Sequence, residues 1–381
     1  MKIAVSLSGG GFRATAFHLG VLARLAAERM LSCITLVSSV SGGSLAAGLV
    51  LSLSGMRWPA DEEYLGQTLP EAGKLLMSVD LEWEILKQML TRPWLLPQGR
   101  AKLLALGLIQ KWQIQSSLAD LPKTPISFIN ATTYETGRNF RFGRSRMGDY
   151  KANYVLNPNF LLADALAASS AYPGLLGPLT LNTGNFQWVK YKEWKKITAI
   201  PCNPLCKKLH LWDGGIYDNL GIESLFKPGG FEYQDECDFL IVSDASCKFE
   251  FERPTLSFKR AYRLVGISMD QIRSLRARMV VSYFEQCPDS GSYIRMGNST
   301  EYLCSALKVD SDTRNTLSKV ALSGDEVTKA VSYGTNLARM RADDFGLIAR
   351  HGWECADLTL ALNCPDIFKH IPYDYSVLGG H

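Results

Sequence analysis

The stretch that decides the fold runs from Thr35 to Ser44 and reads T-L-V-S-S-V-S-G-G-S. Its apolar, β-branched first half is typical of a buried strand, and the residues after it, L-A-A-G-L-V at 45–50, continue as a helix. The pattern predicts a strand that turns sharply into a helix, with Ser41 at the apex. Small neighbours such as Gly42 and Gly43 allow the turn and the approach of a substrate. Ser41 is therefore a candidate nucleophile, and the alternative for this stretch alone is a serine in a tight turn or at a helix N-cap.

A glycine-rich loop occurs near the N-terminus. The apolar run I-A-V-S-L at residues 3–7 indicates a buried strand, and S-G-G-G-F-R follows it at residues 8–13 before apolar residues recur at helical spacing. Backbone N–H groups at such a strand-to-helix turn bind anions, either a phosphate or the oxyanion of an acyl-transfer intermediate. The loop fits neither a P-loop nor the G-x-G-x-x-G pattern.

A third motif lies at residues 209–216, L-H-L-W-D-G-G-I. It reads as an apolar strand that ends in Asp213, with Gly214 and Gly215 leaving room beside the carboxylate.

With these motifs the chain resembles the patatin-like phospholipases from Met1 to about Ser246. Residues 9–13 match the family's G-G-G-x-R/K loop, and residues 213–215 match its D-G-G/A motif. Residues 39–43 match its G-x-S-x-G turn with Ser39 in place of the first glycine, and residues 165–174 resemble its A-S-x-A-x-P segment. The resemblance implies a three-layer α/β fold, with a largely parallel central sheet and helices on both faces. We expect a single domain over residues 1–381, with the motifs in 1–246 and a helical part in 247–381.

The resemblance also implies the chemistry. Ser41 and Asp213 would form a Ser–Asp dyad that cleaves fatty-acyl esters of membrane phospholipids through an acyl-enzyme. The oxyanion would be held by Gly9, Gly10 and Gly11, joined by the N–H of Gly42. Arg13 would anchor this loop or contact the substrate phosphate. The expected supports of the site are Gly42, Gly43, Gly214 and Gly215, and neither a cofactor nor a metal is expected.

Other functions remain open on the sequence. A conventional α/β-hydrolase would use Ser, Asp and His in that order, with His351 or His370 as the base. A general carboxylesterase and a non-catalytic lipid-binding module are further alternatives. Bacterial members of the resembled family act as antiphage effectors that a cyclic nucleotide switches on, so such an activator is a further expectation. The basic groups at Arg138–Arg146, followed by Lys151, and at Arg260–Arg278 are its candidate sites, although a solvated face is the simpler interpretation.

Composition sets the cellular context. The 381 residues include 46% apolar and 20% charged residues and carry a net charge of +4, which is ordinary for a globular protein. Nine scattered cysteines favour a reducing, cytoplasmic environment. Cys202, Cys206 and His210 lack an evident fourth ligand and are interpreted as free thiols and a lone histidine.

No signal peptide is recognised, and we expect the protein to act at the membrane surface. No nucleic-acid polymer is expected as a partner, and the oligomeric state is open.

Two regions raise the question of membrane contact. The uncharged run from Met30 to Met56 is rich in serine and glycine, so we expect a buried strand and helix there rather than a membrane span. Residues 62–117 read as helices, with Leu81, Ile85, Leu86 and Met89 on one face. This part is either a lid that contacts the membrane or a helical layer packed on the sheet.

Overall fold

A twelve-stranded sheet organises the residues that the structure, a computed structural model, describes: 1–174, 176–190, 200–227, 230–231, 236–247 and 258–374. Residues 248–257 and 375–381 of the predicted helical part lie outside these ranges. The strands of this sheet are β1 (Ile3–Leu7), β2 (Ile34–Val40), β3 (Ile126–Thr133), β4 (Arg138–Phe142), β5 (Arg146–Asp149), β6 (Asn153–Leu156), β7 (Leu179–Asn182), β8 (Trp188–Lys190), β9 (Ile200–Cys202), β10 (Lys208–Asp213), β13 (Phe239–Asp244) and β14 (Gly291–Arg295). The strands β11 (Phe226–Lys227) and β12 (Gly230–Phe231) pair with each other in a separate two-stranded sheet.

Helices connect and cover these strands. They are α1 (Gly11–Ala27), α2 (Gly42–Leu53), α3 (Asp61–Glu63), α4 (Leu69–Ser78), α5 (Leu81–Thr91), α6 (Arg100–Lys111), α7 (Leu162–Ser169), α8 (Gly215–Asp218), α9 (Phe258–Gln286), α10 (Thr300–Ala306), α11 (Ser311–Val320), α12 (Gly324–Ser332) and α13 (Ala342–Asn363). A π-helical turn at Tyr64–Thr68 joins α3 to α4, and a 3-10 turn at Pro93–Gln98 joins α5 to α6.

The centre of the sheet is parallel, in the order β14-β13-β1-β2-β3, and antiparallel strands extend it from β3. Side chains alternate between two cores: Val5 packs in the core that includes α1, α2 and α13, whereas Ala4 packs in the core that includes residues of α9. A parallel strand buried on both faces reads as a continuous apolar run, which is what β1 shows. The predicted three-layer fold with a largely parallel sheet is confirmed.

The uncharged run from Met30 to Met56 contains a buried strand followed by a buried helix. It forms β2 and α2, whose residues are almost all buried. Among the described residues, every helix is too short or too polar to cross a membrane.

The helical layer at residues 62–117 differs from the expected pattern. The buried face of α5 comprises Leu81, Glu84, Ile85 and Gln88, whereas Leu86 is 46% exposed, so the prediction that Leu86 shares one face with Leu81 and Ile85 was wrong. The reason is polar pairing with α6: Glu84 lies 3.1 Å from Lys111, and Gln88 donates a hydrogen bond to Gln110 at 3.2 Å. Because the buried face holds these polar side chains, apolar periodicity alone placed it incorrectly.

The contact between α1 and α13 holds the far end of the chain against the first helix. An ideal Cβ on Gly352 of α13 would lie 2.1 Å from the carbonyl oxygen of Phe17, so the two backbones meet where no side chain fits. A buried ion pair between Arg24 and Asp357, 2.6 Å apart, lies in the same interface.

We predict that Gly352→Ala destabilises the protein by about 2 kcal/mol or more, because the added methyl forces the helices apart. The matched control is Gly346→Ala on the same helix, where a Cβ meets no atom within 4 Å. That change should alter stability by no more than about 1 kcal/mol, in the stabilising direction. Urea unfolding of both variants measures the difference, and equal effects would contradict the close contact.

Candidate active site

Ser41 occupies a strained turn between β2 and α2. Its φ is +50° and its ψ is −119°, a conformation that costs a non-glycine residue about 1–3 kcal/mol and is concentrated at functional sites. The turn requires the two glycines that follow it. A Cβ on Gly42 would lie 2.2 Å from the carbonyl oxygen of Gly11, and one on Gly43 would lie 2.3 Å from that of Leu7.

Hydrogen bonds from Ser169 fix this turn. The N–H of Ser41 donates to Ser169 Oγ at 3.0 Å, and Ser169 Oγ donates to the carbonyl of Asn130 at 2.7 Å. Ser39, which replaces the first glycine of the motif, is buried and accepts a hydrogen bond from Ser44 Oγ at 3.0 Å. Serine is therefore accommodated at position 39 without loss of the turn.

Asp213 meets Ser41 because β2 and β10 lie along the same edge of β3 and point toward each other. Val40 at the end of β2 pairs with Asn130, and Asp213 at the end of β10 pairs with the next residue, Ala131. The Ser41 hydroxyl interacts with the Asp213 carboxyl and lowers its pKa, and the N–H of Gly215 donates to Oδ1 at 2.7 Å. The two strand ends thus place a hydroxyl against a carboxylate.

Burial changes the acidity of this carboxyl. Asp213 is only 2% exposed, and desolvation raises its pKa to about 7 although the hydrogen bond from Gly215 and the interaction with Ser41 oppose the rise. A carboxyl with this pKa accepts a proton near neutral pH far more readily than an ordinary aspartate does. Gly214, the next residue, packs tightly against β3, since a Cβ there would lie 2.4 Å from the Asn130 carbonyl oxygen.

The glycine loop lies beside Ser41. A Cβ on Gly9 would lie 3.1 Å from that of Ser41. The N–H of Gly9 donates to the carbonyl of Asn219 at 3.1 Å, so this predicted oxyanion donor is already engaged in the structure. Gly10 and Gly11 follow Gly9, with φ values of +146° and +60°. In the described part of the chain, no acceptor pairs with the N–H groups of these two residues. Two adjacent N–H groups are thus available to an anion.

A cavity of about 350 Å³ opens at these residues. Its other walls come from α9 and from the segment 333–340, which we call the strap. The sequence did not assign these lining residues to the active site, because they lie in helices and loops without a catalytic motif: Met269, Asp270, Arg273, Thr335, Asn336 and Leu337. Asn219, six residues after Asp213, also lines the cavity and donates to Ser246 at 2.9 Å.

Arg13 acts as an anchor in this structure. It is 2% exposed, and its guanidinium donates to the carbonyls of Tyr333 at 2.7 Å and Ala245 at 3.4 Å. These hydrogen bonds fit the predicted role of an anchor, and because Arg13 also lines the cavity, its contact with a substrate phosphate stays a prediction. Arg13 ties the start of α1 to the strap.

The histidines lie elsewhere. None of the four histidines within the described ranges lines the cavity. Burial lowers the pKa of His351 to about 4, and its Nε2 accepts the N–H of Gly297 at 2.9 Å. His370 pairs with Asp357 at 2.5 Å. A triad that uses either histidine finds no support in this geometry.

Comparison with known proteins assigns the family. The model of the patatin-like phospholipase family matches residues 5–226, more than half of the chain. The chain belongs to this family. No curated protein sequence matches it.

Solved structures agree with the patatin-type fold. Human GIVD cytosolic phospholipase A2 superposes with a TM-score of 0.53 at 15% identity, over 95% of this chain and 59% of that one. The same human protein in complex with methyl gamma-linolenyl fluorophosphonate gives a TM-score of 0.52 at 16% identity, over 95% and 58%. The chain thus spans about three fifths of the length of these structures, and at this identity they show a shared fold.

We predict that Asp213→Asn stabilises the protein at high pH. The folded-state pKa of about 7 exceeds the unfolded value of 3.8, so the contribution of Asp213 to stability is fully present below pH 3.8 and is lost as pH rises through 7. Relative to wild type, the variant should gain about 1–3 kcal/mol between about pH 5 and pH 8. Urea unfolding across this range measures the gain. The exposed Asp343→Asn is the control, and a gain independent of pH would contradict the buried carboxyl.

Proposed function

We propose that this protein is a lipid acyl hydrolase that cleaves fatty-acyl esters of membrane phospholipids at the membrane surface. The observation that carries the proposal is the position of Ser41 in one cavity with a buried carboxyl, that of Asp213, whose pKa is raised to about 7. The available N–H groups of Gly10 and Gly11 beside this pair, and the family of the chain, support it.

Proton transfer in the proposed mechanism runs directly between two side chains. Ser41 Oγ attacks the ester carbonyl carbon and gives its proton to Asp213. The ester C–O bond then breaks, the leaving alcohol takes that proton, and an acyl-enzyme remains. Water attacks the acyl-enzyme, Asp213 accepts a proton from the water, and Ser41 recovers the proton as the fatty acid departs. Asp213 is thus the base in each half of the reaction and then returns the proton as an acid.

The oxyanion that forms in each attack requires hydrogen-bond donors. We assign this role to the N–H groups of Gly10 and Gly11, with the N-terminus of α2 at Gly42 adding its partial positive charge. Gly9 positions the loop through its hydrogen bond to Asn219. Removal of one such donor typically slows acyl transfer by about 10²–10³-fold.

The proposed catalytic unit comprises the whole chain as a single domain. The motif-bearing part supplies Ser41 and Asp213, whereas Met269 and Leu337 from the helical part line the same cavity. The packing of α13 on α1 supports this arrangement.

We predict that Ser41→Ala and Asp213→Asn each lower ester hydrolysis by about 10⁴-fold or more, and that the double variant is hardly slower than either. Non-additivity is expected because the two groups act as one unit. Hydrolysis of phosphatidylcholine vesicles and of a short-chain ester measures the rates, with circular dichroism as the check on folding.

A fluorophosphonate probe identifies the nucleophile independently of turnover. Mass spectrometry should locate the label on Ser41, and neither on Ser39 nor on Ser44. The exposed Ser332→Ala is the matched control and should keep full activity. Hydrolysis that survives in folded Ser41→Ala would overturn the assignment. Vesicles left intact while the short-chain ester is cleaved would favour a general carboxylesterase.

A second cavity supports a regulatory proposal. We propose that a cyclic nucleotide activates hydrolysis, in an antiphage role, by binding to the cavity of about 310 Å³ at the edge of the sheet. Four cationic side chains line this basic cavity, together with two aromatic rings that suit nucleobases: Lys123, Arg141, Arg144, Arg146, Phe128 and Tyr154. The cationic group on α9 is a weaker candidate, because Arg273 pairs with Asp244 at 3.0 Å and Arg276 with Glu223 at 2.6 Å.

We predict that a cyclic dinucleotide raises vesicle hydrolysis by about tenfold or more, and that Arg146→Gln removes this activation while the basal rate is unchanged. Lys151→Gln is the matched control, since Lys151 belongs to the same basic stretch but lies outside the cavity lining. The measurement is fatty-acid release with each candidate nucleotide. Rates that no candidate changes would contradict the activation.

A further inference from the structure

Five large apolar side chains are exposed together on α5 and the 3-10 turn after it. We call this surface the tryptophan–leucine face. Its members and their exposed fractions are Trp83 (61%), Leu86 (46%), Leu90 (77%), Trp94 (68%) and Leu96 (40%). Contiguous exposed apolar surface marks a site of interaction with a protein or a membrane.

The face is built by helical spacing. Trp83, Leu86 and Leu90 recur at intervals of three and four residues, so they line one side of α5. The opposite side packs on α6 through Leu81, Ile85 and the polar pairs of Glu84 and Gln88. The outward apolar residues are exposed and do not contribute to this core.

Two cationic side chains lie within the face, and the acid directly before it, Glu82, accepts the N–H of Leu337 at 2.9 Å. Lys87 and Arg92 lie among the apolar residues. The sole acid between residues 83 and 97 is Glu84, which is buried and lies 3.1 Å from Lys111. Apolar side chains with cationic neighbours suit a surface that is apolar inside and anionic outside.

The segment that carries the face is hydrogen-bonded at one end to a residue that lines the cavity, and at the other end to a residue close in sequence to a second one. Where α5 begins, Leu81 N–H donates to the carbonyl of Leu337 at 3.1 Å, and the Glu82 carboxylate accepts the N–H of Leu337 at 2.9 Å. Leu337 lines the cavity. Beyond the turn, Arg100 donates to the carbonyl of Gly174 at 3.3 Å, two residues from Tyr172, another lining residue.

We propose that the tryptophan–leucine face docks the protein on an anionic phospholipid bilayer, with its tryptophans at the membrane interface and the cavity beside the lipid. Tryptophan rings favour this interface, where one part of the ring is apolar and the N–H remains wet. The inference deepens the proposed function and rests on it for the identity of the occupant. A protein partner or a second copy on this face would lie at the cavity rim and hinder the entry of lipid.

Vesicle binding by the full chain tests the docking. The Ser41→Ala background keeps the lipid intact, and vesicles of phosphatidylcholine and phosphatidylglycerol in equal parts provide the surface. Adding Leu90→Ser and Trp94→Ser should weaken sedimentation with vesicles by about tenfold or more, because two inserted side chains are lost. The control Val320→Ser removes an apolar side chain that is 59% exposed on α11 and should bind normally.

Two further measurements define the mode of binding. Brominated lipid should quench the fluorescence of Trp83 and Trp94, and this quenching should fall in Trp94→Phe. Lys87→Gln with Arg92→Gln should weaken binding at low salt only when phosphatidylglycerol is present.

The outcomes separate docking from catalysis. With active protein, the Leu90→Ser, Trp94→Ser variant should cleave a monomeric short-chain ester at the wild-type rate and vesicles much more slowly. Vesicle binding that is absent in the parent protein, or unchanged in the variant, overturns the docking whatever the hydrolysis result. A dimer that the same variant dissociates overturns it in favour of a second copy. Binding without hydrolysis of either substrate would leave the docking in place and remove the proposed function.

Discussion

The contact between the Ser41 hydroxyl and the Asp213 carboxyl depends on a single feature of the sheet. β2 runs parallel to β3, and its last residue pairs with Asn130 of β3. β10 runs antiparallel to β3 along the same edge, and its last residue pairs with Ala131 of β3. Two strands that are distant in sequence therefore point their carboxyl ends at each other. Ser169 joins the ends, because its hydroxyl bonds both the N–H of Ser41 and the carbonyl of Asn130, and its carbonyl accepts the N–H of Gly214 at 3.2 Å.

This arrangement has a cost in stability that the surrounding core offsets. The positive φ of Ser41 and the buried carboxyl of Asp213 each disfavour the folded state. The compensation is visible in β1, which is fully buried on both faces, and in α1, which packs against α13 along its length. Such local conflicts in an otherwise consistent structure are typical of functional sites.

Local sequence was sufficient for the parts of the site that a single turn creates. The small residues after Val40, the glycines at 9–11 and the pair after Asp213 predicted both the elements and their order, because each motif meets a steric requirement within a few residues. Arg13 and Leu86 were harder to place. The partners of Arg13 are carbonyls at 245 and 333, and the burial of α5 depends on which side α6 covers. Neither relation leaves a periodic signal in the sequence. The sequence therefore could not decide whether Arg13 is an anchor or a ligand contact, or whether Leu86 lies on the buried or the exposed face of α5.

The strap, residues 333–340, connects the cavity to the tryptophan–leucine face. The carbonyl of Tyr333 accepts a hydrogen bond from the guanidinium of Arg13. The carbonyl of Asn336 accepts one from the N–H of Phe12 at 3.0 Å, directly after the glycine loop. The next residue, Leu337, bonds α5, and Met340 donates to the carbonyl of Leu76 in α4 at 3.0 Å. Eight consecutive residues thus hold the glycine loop on one side and the helices of the tryptophan–leucine face on the other. The position of the N–H groups that would meet an oxyanion and the position of the surface that would meet a membrane depend on the same backbone segment.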